Sequence, residues 1–133
     1  MNRDVLYSPQ LWTVLGTLLA GVAVALGAYG WHDLEGDTAI REIFMLAVQY
    51  HMWHALGLIV AGWRCSVGPR SAKAAALAGM AFVSGIVLFS GNLYVFAITG
   101  DLPVTGAAPI GGFAFMAGWG MLAVSAVLRE KSD

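Results

Sequence analysis

The sequence predicts an all-α integral membrane protein, an up-down antiparallel bundle of four transmembrane helices that forms a single domain over residues 1–133. Its composition is 59% hydrophobic and only 11% charged, whereas about a quarter of the residues of a soluble domain are charged. Four apolar runs are each long enough to cross the bilayer core, which takes about 20 residues in a helix. The basic residues also cluster on one side of these runs, as the positive-inside rule requires.

The four predicted spans cover residues of about 9–30, 40–63, 74–98 and 109–128. Backbone polar groups in lipid must be paired within the segment, so each run is expected to be helical. Pro9 and Pro109 suit first-turn positions, where the missing N–H costs nothing. The first run is too long for the apolar part of a signal peptide, and we expect it to be a retained anchor.

The distribution of Lys and Arg predicts the orientation. Arg41 alone lies in the first or third connection, whereas six basic residues flank the bundle on the other side: Arg3, Arg64, Arg70, Lys73, Arg129 and Lys131. The positive-inside rule therefore places both termini in the cytoplasm. The opposite face is acidic, with Asp33, Glu35, Asp37, Glu42 and Asp101.

Small residues recur at spacings of four along the spans and predict close helix contacts, since small side chains let backbones approach in lipid. The glycines expected at such contacts are Gly16, Gly21, Gly57, Gly85, Gly112 and Gly118. The predicted connections are about ten residues long, which makes neighbouring spans antiparallel.

Polar side chains within a bilayer cost free energy, so each one is expected to have a structural or functional role. The predicted intramembrane polar site comprises Gln49, Tyr50, His51 and His54 in the second span and Ser90 and Asn92 in the third. His51 and His54 are three residues apart and share a helix face. Counted from Ile40, they lie roughly 16 and 21 Å from the predicted outer end of the span.

Four interpretations of the two histidines compete. The favoured one is structural: neutral imidazoles bond across a helix interface to Asn92, Ser90 or a backbone carbonyl. A haem site would need a second ligand at matching depth, and His32 lies too near the end of the first span. A metal site lacks a carboxylate or thiol at that depth. A proton or quinone route would use His51, His54 and Tyr50 as relay groups.

Four segments together resemble a known family, the small bacterial membrane proteins grouped as domain of unknown function 423. The segments are Leu26–Leu34, Tyr50–Leu58, Leu88–Tyr94 and Pro109–Trp119. The residues that fit the family pattern are His32, Tyr50, His54, Ala55, Leu56, Ser90, Gly91 and Tyr94, while Tyr29, Trp31 and Asn92 depart from it. The resemblance implies a four-span protein of the inner membrane and no established reaction.

From these observations we expect a non-catalytic protein, an accessory or stabilising subunit of a larger membrane complex. We expect no catalytic residues, no cofactor and no bound metal. The expected partners are the lipid bilayer and other membrane subunits, with no nucleic acid. The alternative is a small transporter or channel-like homo-oligomer, or a proton or quinone site that uses His51 and His54. A subunit would co-purify with a larger partner in fixed ratio, whereas a transporter would be self-sufficient.

Overall fold

The computed structural model describes residues 3–34 and 36–128, and within this part of the chain helices joined by short connections are the only regular secondary structure. A short helix, Arg3–Leu6, precedes four long ones. The long helices are Pro9–Asp33, Thr38–Cys65, Pro69–Thr99 and Ala107–Val127, here called the first to fourth helix. Each is long and apolar enough to cross a membrane, so the predicted fold class is confirmed.

The helices extend beyond the predicted spans, and the connections are correspondingly short. The second connection is only residues 66–68, so Arg70 and Lys73 lie in the first turns of the third helix. Asp37 caps the second helix, and its carboxylate accepts a hydrogen bond of 3.1 Å from the Ile40 N–H. Hydropathy marks only the part of a helix within the hydrocarbon, whereas a 28-residue helix is about 42 Å long. Hydropathy therefore does not predict the capping residues and the charged ends of these helices.

The third connection depends on two glycines with left-handed backbone conformations. Gly100 has φ 81° and ends the third helix, and Gly106 has φ 82° and precedes the fourth. Glycine occupies this region without the steric penalty that a Cβ imposes. Between them, the Val104 N–H donates to Asn92 Oδ1 at 3.2 Å. A side chain of the third helix thus fastens this loop.

Close backbone approach between the helices occurs where glycine faces a neighbour. A Cβ added to Gly16 would lie 2.7 Å from the carbonyl oxygen of Ala55, so the first helix lies directly on the second. A Cβ added to Gly57 or Gly118 would lie 2.9 or 2.6 Å from the ring of Phe82. The second, third and fourth helices therefore meet around one fully buried phenylalanine.

The remaining predicted packing glycines divide into two groups. Gly85 lies under the ring of Phe115, which leaves no room for a side chain. At Gly21 and Gly112, in contrast, no atom of the described residues lies within 4 Å of an added Cβ. The prediction that they lie at helix contacts does not hold within this bundle. Small-residue spacing identifies a face that permits close approach, but it does not indicate whether a helix covers that face.

At the end of the bundle near Arg64, hydrogen bonds join three helices. The guanidinium of Arg64 donates through Nη2 to the carbonyl oxygen of Ser125 and through Nε to Ser125 Oγ at 3.4 Å. Ser71 Oγ donates to the Arg64 carbonyl oxygen at 2.9 Å. Ser125 lies in the last turn of the fourth helix, where carbonyls lack helical partners and a cation is favourable. Arg64 thus caps the fourth helix, in addition to the topological role that the sequence indicated.

Candidate functional site

The second helix places two histidines in the interior of the bundle. His51 and His54 are each only 3% exposed, although both are polar and lie near mid-helix. Counted along the helix, His54 is about 24 Å from the Thr38 end and about 16 Å from the Cys65 end. Tyr50, one turn before His54, is half-buried beside them. These three residues of the predicted polar site do come together.

His51 forms its hydrogen bond across a helix interface. Its Nδ1 lies 3.1 Å from the hydroxyl oxygen of Tyr94 in the third helix. The bond therefore goes to Tyr94 and not to the expected Ser90 or Asn92. Within the described residues, His51 Nε2 and Ser90 Oγ are both buried without a hydrogen-bond partner.

His54 is held within its own helix rather than across an interface. Its Nδ1 lies 2.5 Å from the carbonyl oxygen of Tyr50, one turn earlier. The imidazole stacks on the ring of Phe115 from the fourth helix, with centroids 3.4 Å apart and planes 9° from parallel. Stacking, not hydrogen bonding, thus connects His54 to its neighbouring helix.

An aromatic groove of about 520 Å³ lies beside His54, between the second and fourth helices and the middle of the third. The rings that line it include Tyr50, Trp53, His54, Phe89, Phe115 and Trp119. They also pack on one another: the centroids of Tyr50 and Phe89 are 4.7 Å apart. This volume is within the range of small-molecule sites in proteins.

The third helix adopts π-helical geometry where it borders this groove, over Ile86–Gly91. Phe89, in the middle of the segment, contributes its ring to the groove. A Cβ added to Gly111 would lie 2.5 Å from the backbone nitrogen of Phe89, so the fourth helix lies directly against this segment. Such π-helical turns are rare and occur often at functional sites.

The other predicted polar residues lie elsewhere. Gln49 is exposed on the outer side of the second helix. Asn92 is buried but serves the third connection through Val104. The six predicted residues therefore do not form one site. His51 and His54 lie together with Tyr50, whereas Asn92 anchors a loop, Ser90 is buried and the amide of Gln49 faces outward.

Sequence reasoning missed the aromatic partners of the histidines. Phe115, Phe89 and Tyr94 are not among the residues that the sequence assigned to the polar site. A usable signal was present in the fourth span, where Phe115 and Trp119 are four residues apart and so share a helix face. The same spacing relates Tyr50 to His54.

Metal-ligating side chains do not cluster in the described part of the chain. Among residues 3–34 and 36–128, no three His, Cys, Asp or Glu side chains are close enough to hold an ion. His32 is exposed near the end of the first helix, far along the bundle from His54. The site is thus an aromatic groove with one imidazole in its wall.

Comparison with known proteins identifies relatives of this chain by sequence. The family described as protein of unknown function (DUF423) matches residues 26–112. The UPF0382 membrane protein YwdK of Bacillus subtilis (strain 168) is 40% identical over 92 residues, which cover 68% of this chain and 74% of that protein.

Two staphylococcal proteins give similar matches. The UPF0382 membrane proteins SH2409 of Staphylococcus haemolyticus and SERP0230 of Staphylococcus epidermidis are 39% and 38% identical over 92 residues, covering 68% of this chain and 73% of each relative. No solved structure matches the chain. The region that matches the family, residues 26–112, contains His51, His54, the π-helical segment and the start of the fourth helix. The chain is therefore a membrane protein that belongs to the DUF423 family.

Proposed function

We propose that this chain is a non-catalytic accessory or stabilising subunit that docks onto other membrane proteins through the outer face of its second helix. One observation carries the proposal: Gln49 is exposed at mid-helix. It lies about 16 Å from the Thr38 end of a helix about 42 Å long, and hence at the depth of the hydrocarbon core. The buried histidines suit a structural role, because each already hydrogen-bonds or stacks inside the bundle.

The surroundings of Gln49 are otherwise apolar. On the same outer face lie the exposed side chains of Leu46, Trp53, Leu56 and Val60. The amide of Gln49 has two N–H donors and an acceptor oxygen, and lipid chains offer partners for none of them. A helix of another membrane protein that brings a polar side chain to this depth would pair the amide, a contact of roughly 0.6–2 kcal/mol.

A second unpartnered face favours a larger assembly over a simple pair of identical chains. Gly21, Ala25 and Ala28 are all exposed along the first helix, and none of the described part of the chain lies within 4 Å of a Cβ added at Gly21. A twofold dimer interface would cover one of the two faces and leave the other in lipid. A larger complex with different neighbours on each side would cover both.

We infer further that the protein lies in a bacterial inner membrane with the Arg64 end of the bundle in the cytoplasm. The basic residues support this orientation: Arg64, Arg70 and Lys73 lie at that end, whereas Arg41 lies near the other. Juxtamembrane Lys and Arg are retained on the cytoplasmic side during insertion.

Removal of the Gln49 amide tests the docking proposal. Membranes that contain the tagged wild-type chain, Gln49→Leu or Ser84→Ala would be solubilised in mild detergent and measured by native mass spectrometry. We expect the wild-type chain in a fixed ratio with a larger protein, and Gln49→Leu mostly released from it. Ser84 is the matched control, because it is also exposed in mid-helix but its hydroxyl donates to the Met80 carbonyl of its own helix at 2.9 Å.

Three outcomes would contradict the proposal. The wild-type chain could be monomeric under conditions that preserve other membrane complexes. It could form an assembly that contains only copies of itself, which would favour the homo-oligomeric alternative. Finally, Gln49→Leu and Ser84→Ala could remain equally bound, in which case the amide would not be part of the docking surface.

A further inference from the structure

Two further cavities follow one another along one side of the third helix, starting at the basic end of the bundle. The first includes Lys73 in its lining, and the second includes Met80 and Ser84. These three residues are spaced by seven and four positions and therefore share one face of the helix. The two cavities are here called the interfacial cavity and the apolar cavity.

The interfacial cavity has a volume of about 370 Å³ and carries one positive charge. Its lining residues are Tyr7, Cys65, Gly68, Pro69, Ala72 and Lys73, with no carboxylate among them. Within the described residues, the Lys73 ammonium and the Tyr7 hydroxyl form no hydrogen bond. Trp63, two residues before Cys65, is 62% exposed, and exposed indole rings of membrane helices lie at the level of the lipid headgroups. The cavity therefore offers a cation at headgroup level.

The apolar cavity has a volume of about 360 Å³ and lies between the start of the first helix and the third. Its lining residues are Leu6, Leu11, Trp12, Leu15, Met80, Val83 and Ser84. The N–H and O–H groups of these side chains are already bonded within the protein. The Trp12 indole N–H donates to the Leu6 carbonyl oxygen and the Ser84 hydroxyl to the Met80 carbonyl oxygen, both at 2.9 Å. Walls of this kind suit hydrocarbon, which needs no hydrogen bond.

Together the two cavities cover the depth of one leaflet. Lys73 and Val83 are ten residues apart on the third helix, which is about 15 Å along its axis, and half of a bilayer core is about 15 Å thick. A small water-soluble anion would suit only the interfacial cavity, and an uncharged hydrocarbon only the apolar cavity. A molecule with an anionic head and a hydrocarbon tail suits both.

We propose that this side of the third helix binds one anionic phospholipid, with its phosphate beside the Lys73 ammonium and an acyl chain in the apolar cavity. An anionic headgroup is favoured over a zwitterionic one, because a headgroup ammonium would meet the charge of Lys73 with no carboxylate among the lining residues to pair with it. Basic pockets between helices at a membrane surface recognise anionic headgroups in this way. The inference is independent of the docking surface around Gln49, which lies on the second helix.

A matched pair of lipids tests the headgroup. Purified full-length protein would be titrated in detergent with phosphatidylglycerol, and separately with phosphatidylethanolamine of the same acyl chains, and the bound fraction measured by native mass spectrometry. One basic residue at a membrane surface changes affinity for an anionic lipid by about 5-fold, and we expect a preference of that size for phosphatidylglycerol. Lys73→Gln should reduce the preference to near unity. Arg41→Gln, which removes the same charge at the opposite end of the bundle, should leave it unchanged.

A filled cavity tests the acyl chain. Ser84→Trp places an indole in the apolar cavity and should weaken the binding of both phospholipids. Val95→Trp, at an exposed position farther along the same helix, should have no such effect. Glycerol 3-phosphate, which carries the anionic phosphate without acyl chains, should bind the wild-type chain far more weakly than phosphatidylglycerol does. This comparison and the pair of lipids use the wild-type chain, so they remain decisive if a variant fails to fold.

Each part of the proposal can fail separately. Equal affinity of the wild-type chain for the two phospholipids, or an equal loss of preference in Lys73→Gln and Arg41→Gln, would overturn the role of Lys73. Glycerol 3-phosphate bound as tightly as phosphatidylglycerol would identify a site for soluble anions instead. Unchanged lipid binding in Ser84→Trp would remove the acyl chain from the apolar cavity, and the absence of any bound phospholipid would overturn the proposal as a whole.

Discussion

The two buried histidines differ in what they do, although the sequence treats them alike. His51 reaches across to the Tyr94 hydroxyl at 3.1 Å and joins the second helix to the third. His54 donates a hydrogen bond to the Tyr50 carbonyl of its own helix. It contacts the fourth helix by stacking on Phe115. Of the two histidines, only His51 therefore connects two helices by a hydrogen bond, and its other nitrogen is buried without a partner among the described residues.

Removal of the Tyr94 hydroxyl is expected to destabilise the bundle more than removal of the His54 imidazole. Tyr94→Phe keeps the ring contact with Phe44, whose centroid is 4.8 Å away, but leaves His51 without a partner. We expect a loss of about 1–2 kcal/mol in the free energy of unfolding. His54→Phe retains stacking on Phe115 and should cost less. Denaturant unfolding in detergent measures both, and the reverse order of stability would contradict this assignment.

The distances between the helices of the bundle depend on the positions at which a glycine faces an adjacent helix. Around Phe82, the second and fourth helices approach through Gly57 and Gly118, so the three helices meet with little intervening side chain. The first helix, in contrast, packs mainly on the second and leaves most of its surface uncovered. The bundle consequently has one tight three-helix core and one peripheral helix whose outer face is available.

Bulky substitution should distinguish the two kinds of glycine. Gly57→Leu places a side chain where a Cβ would already be 2.9 Å from the Phe82 ring, and overpacking of this kind costs about 1–3 kcal/mol. Gly21→Leu enters open space. Both changes gain the same helix propensity, close to 1 kcal/mol, so the difference in melting temperature between the purified variants reports the contact alone. Equal melting temperatures would exclude Gly57 from a packing contact.

As a whole, the molecule is polarised along its axis by charge. The end with Arg64, Arg70 and Lys73 is basic, whereas the end with Asp37 and Asp101 carries the acidic connections. Glu35 and Lys131, which also support this polarity, lie outside the described residues. The half-buried Arg64 cap shows that at least one of the basic residues stabilises the fold, in addition to its expected part in orientation.

Cysteine accessibility checks the inferred orientation. Single cysteines would replace Asp37 and Lys73, both exposed in the structure, in a chain that carries Cys65→Ser. A membrane-impermeant thiol reagent should label position 37 in intact cells, and position 73 only after permeabilisation, because the basic end is expected in the cytoplasm. Position 71 is unsuitable as a probe, since Ser71 is fully buried. Labelling of position 73 but not of position 37 in intact cells would show that the orientation is the reverse of the one inferred.

The sequence by itself determined the class of protein, the number and approximate position of the helices and the polarity of charge. These properties are sums over consecutive residues: an apolar run long enough to cross a bilayer is visible without knowledge of its neighbours. For the same reason, His51, His54 and Tyr50 could be selected as interior polar residues, because polar groups in an apolar run are conspicuous. Helix ends were less well predicted, since the caps at Asp37 and Gly100 lie beyond the apolar signal.

Only the tertiary structure decided which side of each helix faces inward. Gln49 and His51 are two residues apart, yet one is exposed and the other is buried, because a helix turns by about 100° per residue and its rotation is fixed by contacts with every other helix. The sequence could not pair His51 with Tyr94 or His54 with Phe115, since those partners lie 43 and 61 positions away. The groove arises from the same packing: six aromatic rings and an imidazole from three helices line it, although no stretch of sequence contains them together.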